Sequence, residues 1–261
     1  SIENVSIVER SWFSSWLWTL LVSLISLILV GGWTRLTDSG LSIVEWKPIT
    51  GMIPPFNSEG WIVEFEKYKS IPEFKLVNFD ITMDEFKFIY WWEWGHRQLA
   101  RFIGLVWFVG FLLLWKMKQI PERWTFYFFG IGLLGALQAF LGWWMVSSGL
   151  DGQVVDVFSY RLAIHLTMAF LILALIFWAI LFHSENSAKI FESRRYRNKF
   201  SVNVLAGLGV LCYVQLALGA LVAGIDAGRA YNDWPLMNGK WICLLYTSPS
   251  PRDQRGSRMA S

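Results

Sequence analysis

The chain has 261 residues, of which 54% are hydrophobic and only 16% charged, with a net charge of +3. A soluble domain carries about a quarter charged residues, so this balance excludes an ordinary soluble protein and points to a membrane protein. The two cysteines, Cys212 and Cys243, lack metal-ligand spacing, which argues against a zinc or disulfide framework.

Residues 1–10 are polar and read as an inner-side N-terminus at a fragment edge, not as a signal peptide. Ser11 to Thr34 is uncharged and predicts the first span. A long outer loop, 35–87, follows. Its Pro48, Gly51, Pro54 and Pro55 form turns, and Trp61, Phe65 and Tyr68 then keep helical spacing among Glu64, Glu66 and Lys67. That stretch is expected either to lie on the membrane surface or to form a folded cap. Thr82 to Glu85 fits a capping box and opens the second span just outside the bilayer.

The second span, Phe88 to Trp115, holds Glu93, His96, Arg97 and Arg101 in its first half. Trp124 to Leu150, Leu162 to Ser184 and Phe200 to Ile225 are uncharged and complete a set of five. Lys116, Lys118 and Arg123 follow span two, and the loop 184–199 holds Lys189, Arg194, Arg195, Arg197 and Lys199. The positive-inside rule places both basic loops and the N-terminus inside.

Spans one, three and five end alike, with small residues in Gly31-Gly32, Gly142 and Gly219-Ala220 and a closing glycine suited to a C-cap. After spans one and three comes a span with a histidine near its start, so the repeat predicts a histidine on a sixth span.

His183 lies at the inner end of span four and reads as a boundary residue. His96 and His165 enter from the outside on separate helices, and both rings should sit roughly 10 Å below the outer surface. Two imidazoles at one depth suit axial ligation of a heme iron. Bonding to polar partners within the bundle, or proton relay, are the alternatives. Arg161 is one turn outward of His165, and Arg97 follows His96; both suit carboxylates such as heme propionates, or merely snorkel. Gly95, Ala100, Gly104, Ala163 and Ala169 leave room for a flat macrocycle or for helix packing. Glu93, one turn outward of His96, is the candidate catalytic carboxylate, able to accept a proton or stabilise developing positive charge; otherwise it pairs with Arg97.

Gly32 to Pro48, the stretch Tyr90-Trp91-Trp92-Glu93-Trp94-Gly95-His96-Arg97, Gly142 to Leu150, Tyr160 to Leu166, and Asp226-Ala227-Gly228 through Met237 together resemble heme A synthases, over about residues 10–242. The resemblance implies an all-α, polytopic membrane protein of eight helices in two similar four-helix bundles. Such enzymes oxidise the C8 methyl of heme O to a formyl group by successive hydroxylations, giving heme A for cytochrome oxidase. It implies that His96 and His165 are the iron ligands of the substrate-heme bundle, 11–183, and that Glu93 is needed for activity. A b-type heme is expected in a C-terminal bundle, of which residues 200–242 would be the first helix and outer segment. Without a cysteine pair in its first outer loop, the chain is similar to the alphaproteobacterial and mitochondrial branch.

Residues 243–261 are polar, unlike the family, and are expected to be a non-native tail that truncates the chain after its fifth span. The expected partners are heme O and heme A, heme O synthase, cytochrome oxidase assembly factors and membrane lipid, with no nucleic acid; homo-oligomerisation stays open. The expected location is a bacterial inner membrane, or alternatively a mitochondrial one. A two-histidine b-type electron-transfer cytochrome and a non-catalytic heme carrier are the competing functions.

Overall fold

Seven α-helices occur among the described residues of this computed structural model, which are 2–150, 156–184, 198–226 and 236. They are α1 (Ile2–Leu36), α2 (Ser58–Lys69), α3 (Pro72–Leu76), α4 (Met83–Lys116), α5 (Glu122–Leu150), α6 (Ser159–Ser184) and α7 (Lys199–Gly224). Five of them, α1, α4, α5, α6 and α7, are long and apolar enough to cross a membrane. The chain is therefore an all-helical, multi-pass membrane protein. The inner basic loop, the segment after Asp226 and the 243–261 tail lie outside the described residues, apart from Leu236.

Within an apolar medium a helix hydroxyl is best bonded locally, and three on α1 are. Thr19, Ser26 and Thr34 each donate to the carbonyl four residues earlier, at 2.8–2.9 Å. The predicted capping box is present: Thr82 Oγ1 accepts from the Glu85 backbone N–H, and the Glu85 carboxylate accepts from the Thr82 N–H at 2.8 Å.

Helices α1, α4, α5 and α6 pack in a closed ring, α1 on α4, α4 on α5, α5 on α6 and α6 on α1. The inner half of the ring is filled by Leu17, Leu20 and Leu24 of α1, Phe111 of α4, Phe128 of α5 and Ile176 of α6, among others. Small and large residues interlock here. Trp16 lies in the notch at Gly110 and donates to the Val106 carbonyl at 3.0 Å, and Trp107 fills the notch at Gly132. Helix α7 packs along α6, with Gly224 against Ser159 and the Tyr213 hydroxyl donating to the Thr167 carbonyl at 2.9 Å.

The amphipathic stretch of the outer loop is a helix, α2. Phe65 and Tyr68 are buried with Leu41, Phe86 and Tyr90, so α2 is clamped onto the outer end of α4 as a folded cap. Helix ends differ from expectation. The left-handed residues that close α1 and α7 are Asp38 (φ 50°) and Asp226 (φ 51°), equivalent positions of the repeat. Gly149 lies inside α5 and gives room to Leu41, whose Cδ1 is 2.7 Å from where a Cβ would stand. Arg35 joins these ends: it pairs with Asp38 at 3.7 Å, Asp156 at 3.0 Å and Asp226 at 3.1 Å, and donates to the Ala223 carbonyl.

Under the cap, Glu73 is buried and accepts from the Tyr68 hydroxyl at 3.2 Å and the Asn78 amide at 3.1 Å. Burial pushes its carboxyl from 4.5 up to about 8, against the opposing Tyr68 hydrogen bond and with help from Asp156, Glu93 and Asp38. Folded Glu73 thus keeps its proton where the unfolded chain has lost it. Its contribution to cap stability is complete below about pH 4.5 and is lost as pH rises toward about 8. Protease sensitivity of the outer loop should therefore rise over that window, and Glu73→Gln should flatten the rise; an unchanged pH profile in the variant would refute this assignment.

Candidate functional site

The two hydrophobic clusters leave a gap between them. The inner cluster ends near Ile28 on α1 and the outer one begins beyond that helix, at Leu41; on α4 they are separated between Trp94 and Ile103. The same break runs from Leu134 to Met145 on α5 and from Leu162 to Met168 on α6. His96 and His165 both fall in this layer, as do Gly31, Gly142 and Gln138. This level, which crosses all four helices of the ring and belongs to neither cluster, holds the buried Leu141 as well as the two histidines, and such a level of a bundle core is where a cofactor or ligand can be held.

Each histidine rests on a glycine of the preceding span. A Cβ at Gly31 would stand 2.8 Å from His96 Cε1, and one at Gly142 would stand 2.9 Å from His165 Cε1. Each ring also interacts with the backbone one helical turn before its glycine, at Leu27 for His96 and at Gln138 for His165. The two halves of the bundle thus seat their histidines on equivalent glycines. Nδ1 of each ring is buried without a hydrogen-bond partner. His183 is elsewhere, packed on Phe13 and Trp124 at the inner end.

Glu93 is 3% exposed and its carboxylate is fully engaged. Oε1 accepts from Arg97 Nε at 3.0 Å and Nη2 at 2.5 Å; Oε2 accepts from Ser42 Oγ and the Ile43 backbone N–H, both at 2.7 Å. Arg97 donates further to the Ile43 carbonyl at 2.9 Å and the Glu45 carbonyl at 3.2 Å. The pair thereby ties the segment Ser42–Glu45 onto α4, directly beside the histidine layer. Ser42 and Ile43 were not singled out in the sequence, because nothing local marks a hydroxyl and an amide in a loop as partners of a carboxylate 50 residues away.

Arg161 donates to the Trp144 carbonyl at 2.6 Å and lies 4.4 Å from the Trp144 ring centroid, with Phe158 and Tyr160 around it. It has no carboxylate partner among the described residues. Of the small residues, Gly95 and Gly104 face open space, whereas Ala163 and Ala169 are buried. A separate cavity of about 320 Å³ lies between the outer loop and α4, lined by Arg97, Arg101, Lys47, Glu45, Glu64 and Tyr90, among others.

A family model described as COX15-CtaA, cytochrome oxidase assembly protein, matches residues 14–252. The chain belongs to this family. Three of the relatives it matches are named heme A synthase. The protein from Cereibacter sphaeroides (strain ATCC 17025 / ATH 2.4.3) is 50% identical over 92% of this chain and 62% of its own length. That from Paracoccus denitrificans (strain Pd 1222) is 52% identical over 87% of this chain and 60% of its own. The one from Dinoroseobacter shibae (strain DSM 16493 / NCIMB 14021 / DFL 12) is 53% identical over 88% and 60%. The chain thus spans about 60% of the length of the curated relatives it matches. No solved structure matches.

Proposed function

We propose that this chain carries the substrate-heme bundle of a heme A synthase, oxidising the C8 methyl of heme O to a formyl group to supply heme A to cytochrome oxidase. The observation that carries the reading is the pair of histidines seated on the equivalent glycines Gly31 and Gly142, at a level between the two apolar clusters. It fits a heme on two counts: separate helices supply two imidazoles, and each retains a buried nitrogen short of a partner. The relatives' shared name supports the reaction.

In this reading His96 and His165 hold the iron, and the iron porphyrin supplies the oxidising chemistry when bound. Arg161, with no carboxylate partner among the described residues, is the better placed of the two arginines to receive a propionate. Arg97 acts through Glu93 and the outer loop. Glu93 supplies a negative charge beside the ring. Four donors hold its carboxylate in place, which suits stabilisation of developing positive charge better than proton shuttling, since accepting a proton would require breaking one of them. The location proposed with it is a bacterial inner membrane, with heme O synthase and cytochrome oxidase assembly factors as partners, and a b-type heme in a C-terminal bundle is part of the same proposal.

The same complete engagement of Glu93 favours a second reading, a two-histidine electron-transfer cytochrome in which the carboxylate only tunes a permanent heme. Heme extraction separates the two. A form extended to the relatives' full length is co-expressed with a heme O source, and its hemes are resolved by reverse-phase chromatography with mass detection. The synthase reading expects heme A from the parent and heme O or a hydroxylated intermediate from Glu93→Gln. Unmodified heme B alone from both would leave the cytochrome.

A further inference from the structure

Gln98 and Arg101 take no part in seating the histidines. On α4 they lie beyond His96 in the span, about 3 and 7.5 Å deeper at the rise of a helix. An amide and a cation at that depth need partners. They find them in one segment of the outer loop. Arg101 Nε donates to the Pro48 carbonyl at 2.9 Å and Nη2 to the Lys47 carbonyl at 3.0 Å. Gln98 Nε2 donates to the Met52 carbonyl at 3.0 Å and to that of Gly51 at 3.4 Å. The remaining carbonyls of this turn, those of Ile49 and Thr50, accept from the backbone N–H groups of Met52 and Ile53. Every carbonyl from Lys47 to Met52 is thus bonded within the protein. A loop in water has no such need, because solvent meets its carbonyls; irregular backbone at membrane depth does. Side chains on a helix lean toward its N-terminus, which for α4 is outward, so the segment rests near the level of His96.

The other side of the segment has matching chemistry. From Trp46 to Phe56 only Lys47 is charged, and it is paired with Glu45 at 2.7 Å. Ile49, Ile53 and Phe56 are 74%, 66% and 84% exposed. Pro54 and Pro55 between them carry no N–H to satisfy. One turn past Arg101, on the same face of α4, Leu105 is 61% exposed, so the helix below the segment is open to the bilayer. Helix α7 packs on α6, diagonally across the ring from α4, and does not cover this face.

We propose that residues 46–56 form a membrane-seated strap: Gln98 and Arg101 hold its backbone against α4, while Ile49, Ile53 and Phe56 reach among the acyl chains of the outer leaflet. Arg101 then serves backbone carbonyls and not a ligand carboxylate, and the strap stands whether or not the bundle holds a heme.

Depth is measured with spin labels in phospholipid vesicles. In a Cys212→Ala, Cys243→Ser chain, single labels are attached to Ile49→Cys, Ile53→Cys and Phe56→Cys. Leu105→Cys is the lipid-facing reference, and Glu66→Cys, on α2, is the aqueous one. Collisions are recorded with oxygen, which concentrates among acyl chains, and with a water-soluble nickel chelate. The three strap labels should favour oxygen as Leu105→Cys does, whereas Glu66→Cys should favour the chelate. They are read independently, so a variant that fails to reach the membrane leaves two others. Strap labels that follow Glu66→Cys would overturn the proposal. So would labels shielded from both reagents, which would mean that protein covers the strap. Gln98→Leu combined with Arg101→Met should shift the Ile53→Cys label toward the chelate and leave the Leu105→Cys label in place; an unmoved Ile53→Cys label would overturn the part given to Gln98 and Arg101.

Discussion

Replacing Glu93 by Ala is expected to destabilise the protein by about 3–5 kcal/mol, the usual result of removing one partner of a buried ion pair. The carboxylate is nearly inaccessible, and its loss strands the Arg97 guanidinium, the Ser42 hydroxyl and the Ile43 N–H together. Glu93→Gln keeps the shape and one acceptor oxygen but turns an NH2 toward donors, and should cost about 1–3 kcal/mol. Because the partners form one network, Glu93→Ala combined with Arg97→Ala should cost less than the sum of the two single changes. Thermal unfolding in detergent reads the stabilities, and limited proteolysis between Ser42 and Lys47 shows whether the loop has come free. Additive costs with an intact loop would mean the pair is not what ties the loop to α4. This structural effect also bears on activity: a Glu93 variant that loses turnover must be shown to retain its outer loop before the loss is assigned to chemistry.

Gly31→Ala and Gly142→Ala should behave oppositely to their neighbours. In a helix, Gly to Ala ordinarily stabilises by about 1 kcal/mol. Gly32 and Gly95 have nothing within 4 Å of a new Cβ, so Ala there should follow that rule. At Gly31 and Gly142 the new methyl would meet an imidazole at 2.8 and 2.9 Å, closer than real contacts allow. The ring must shift, and overpacking of this kind costs about 1–3 kcal/mol. The same shift should weaken hemin binding in Gly31→Ala and Gly142→Ala while Gly32→Ala binds as the parent does. Equal binding by all four proteins would show that the glycine seats do not set the ring positions.

These contrasts also mark what the sequence could and could not show. Four of the five spans were legible because an uncharged run of sufficient length has one stable arrangement in a bilayer, the second from its apolar stretch despite Glu93, Arg97 and Arg101, and the Thr82–Glu85 cap because both of its partners are local. The helix of Ser58–Lys69 was legible from its spacing, but its resting place was not, since Phe65 and Tyr68 are buried by Phe86 and Tyr90 of another element. Likewise the repeated glycines and the two histidines were visible separately. That each glycine seats the histidine of the next span is a contact between helices, with no local trace. The Glu93–Arg97 pair followed from i,i+4 spacing, whereas Ser42 and Ile43 did not.

The central claim is that His96 and His165 clasp one heme between them, and optical and electron paramagnetic spectra of the hemin-loaded chain test it most directly. The parent should give a low-spin, six-coordinate ferric heme, and His96→Ala and His165→Ala should each convert it to a high-spin form that the double variant no longer binds tightly. A parent spectrum left unchanged by either histidine substitution would contradict the account.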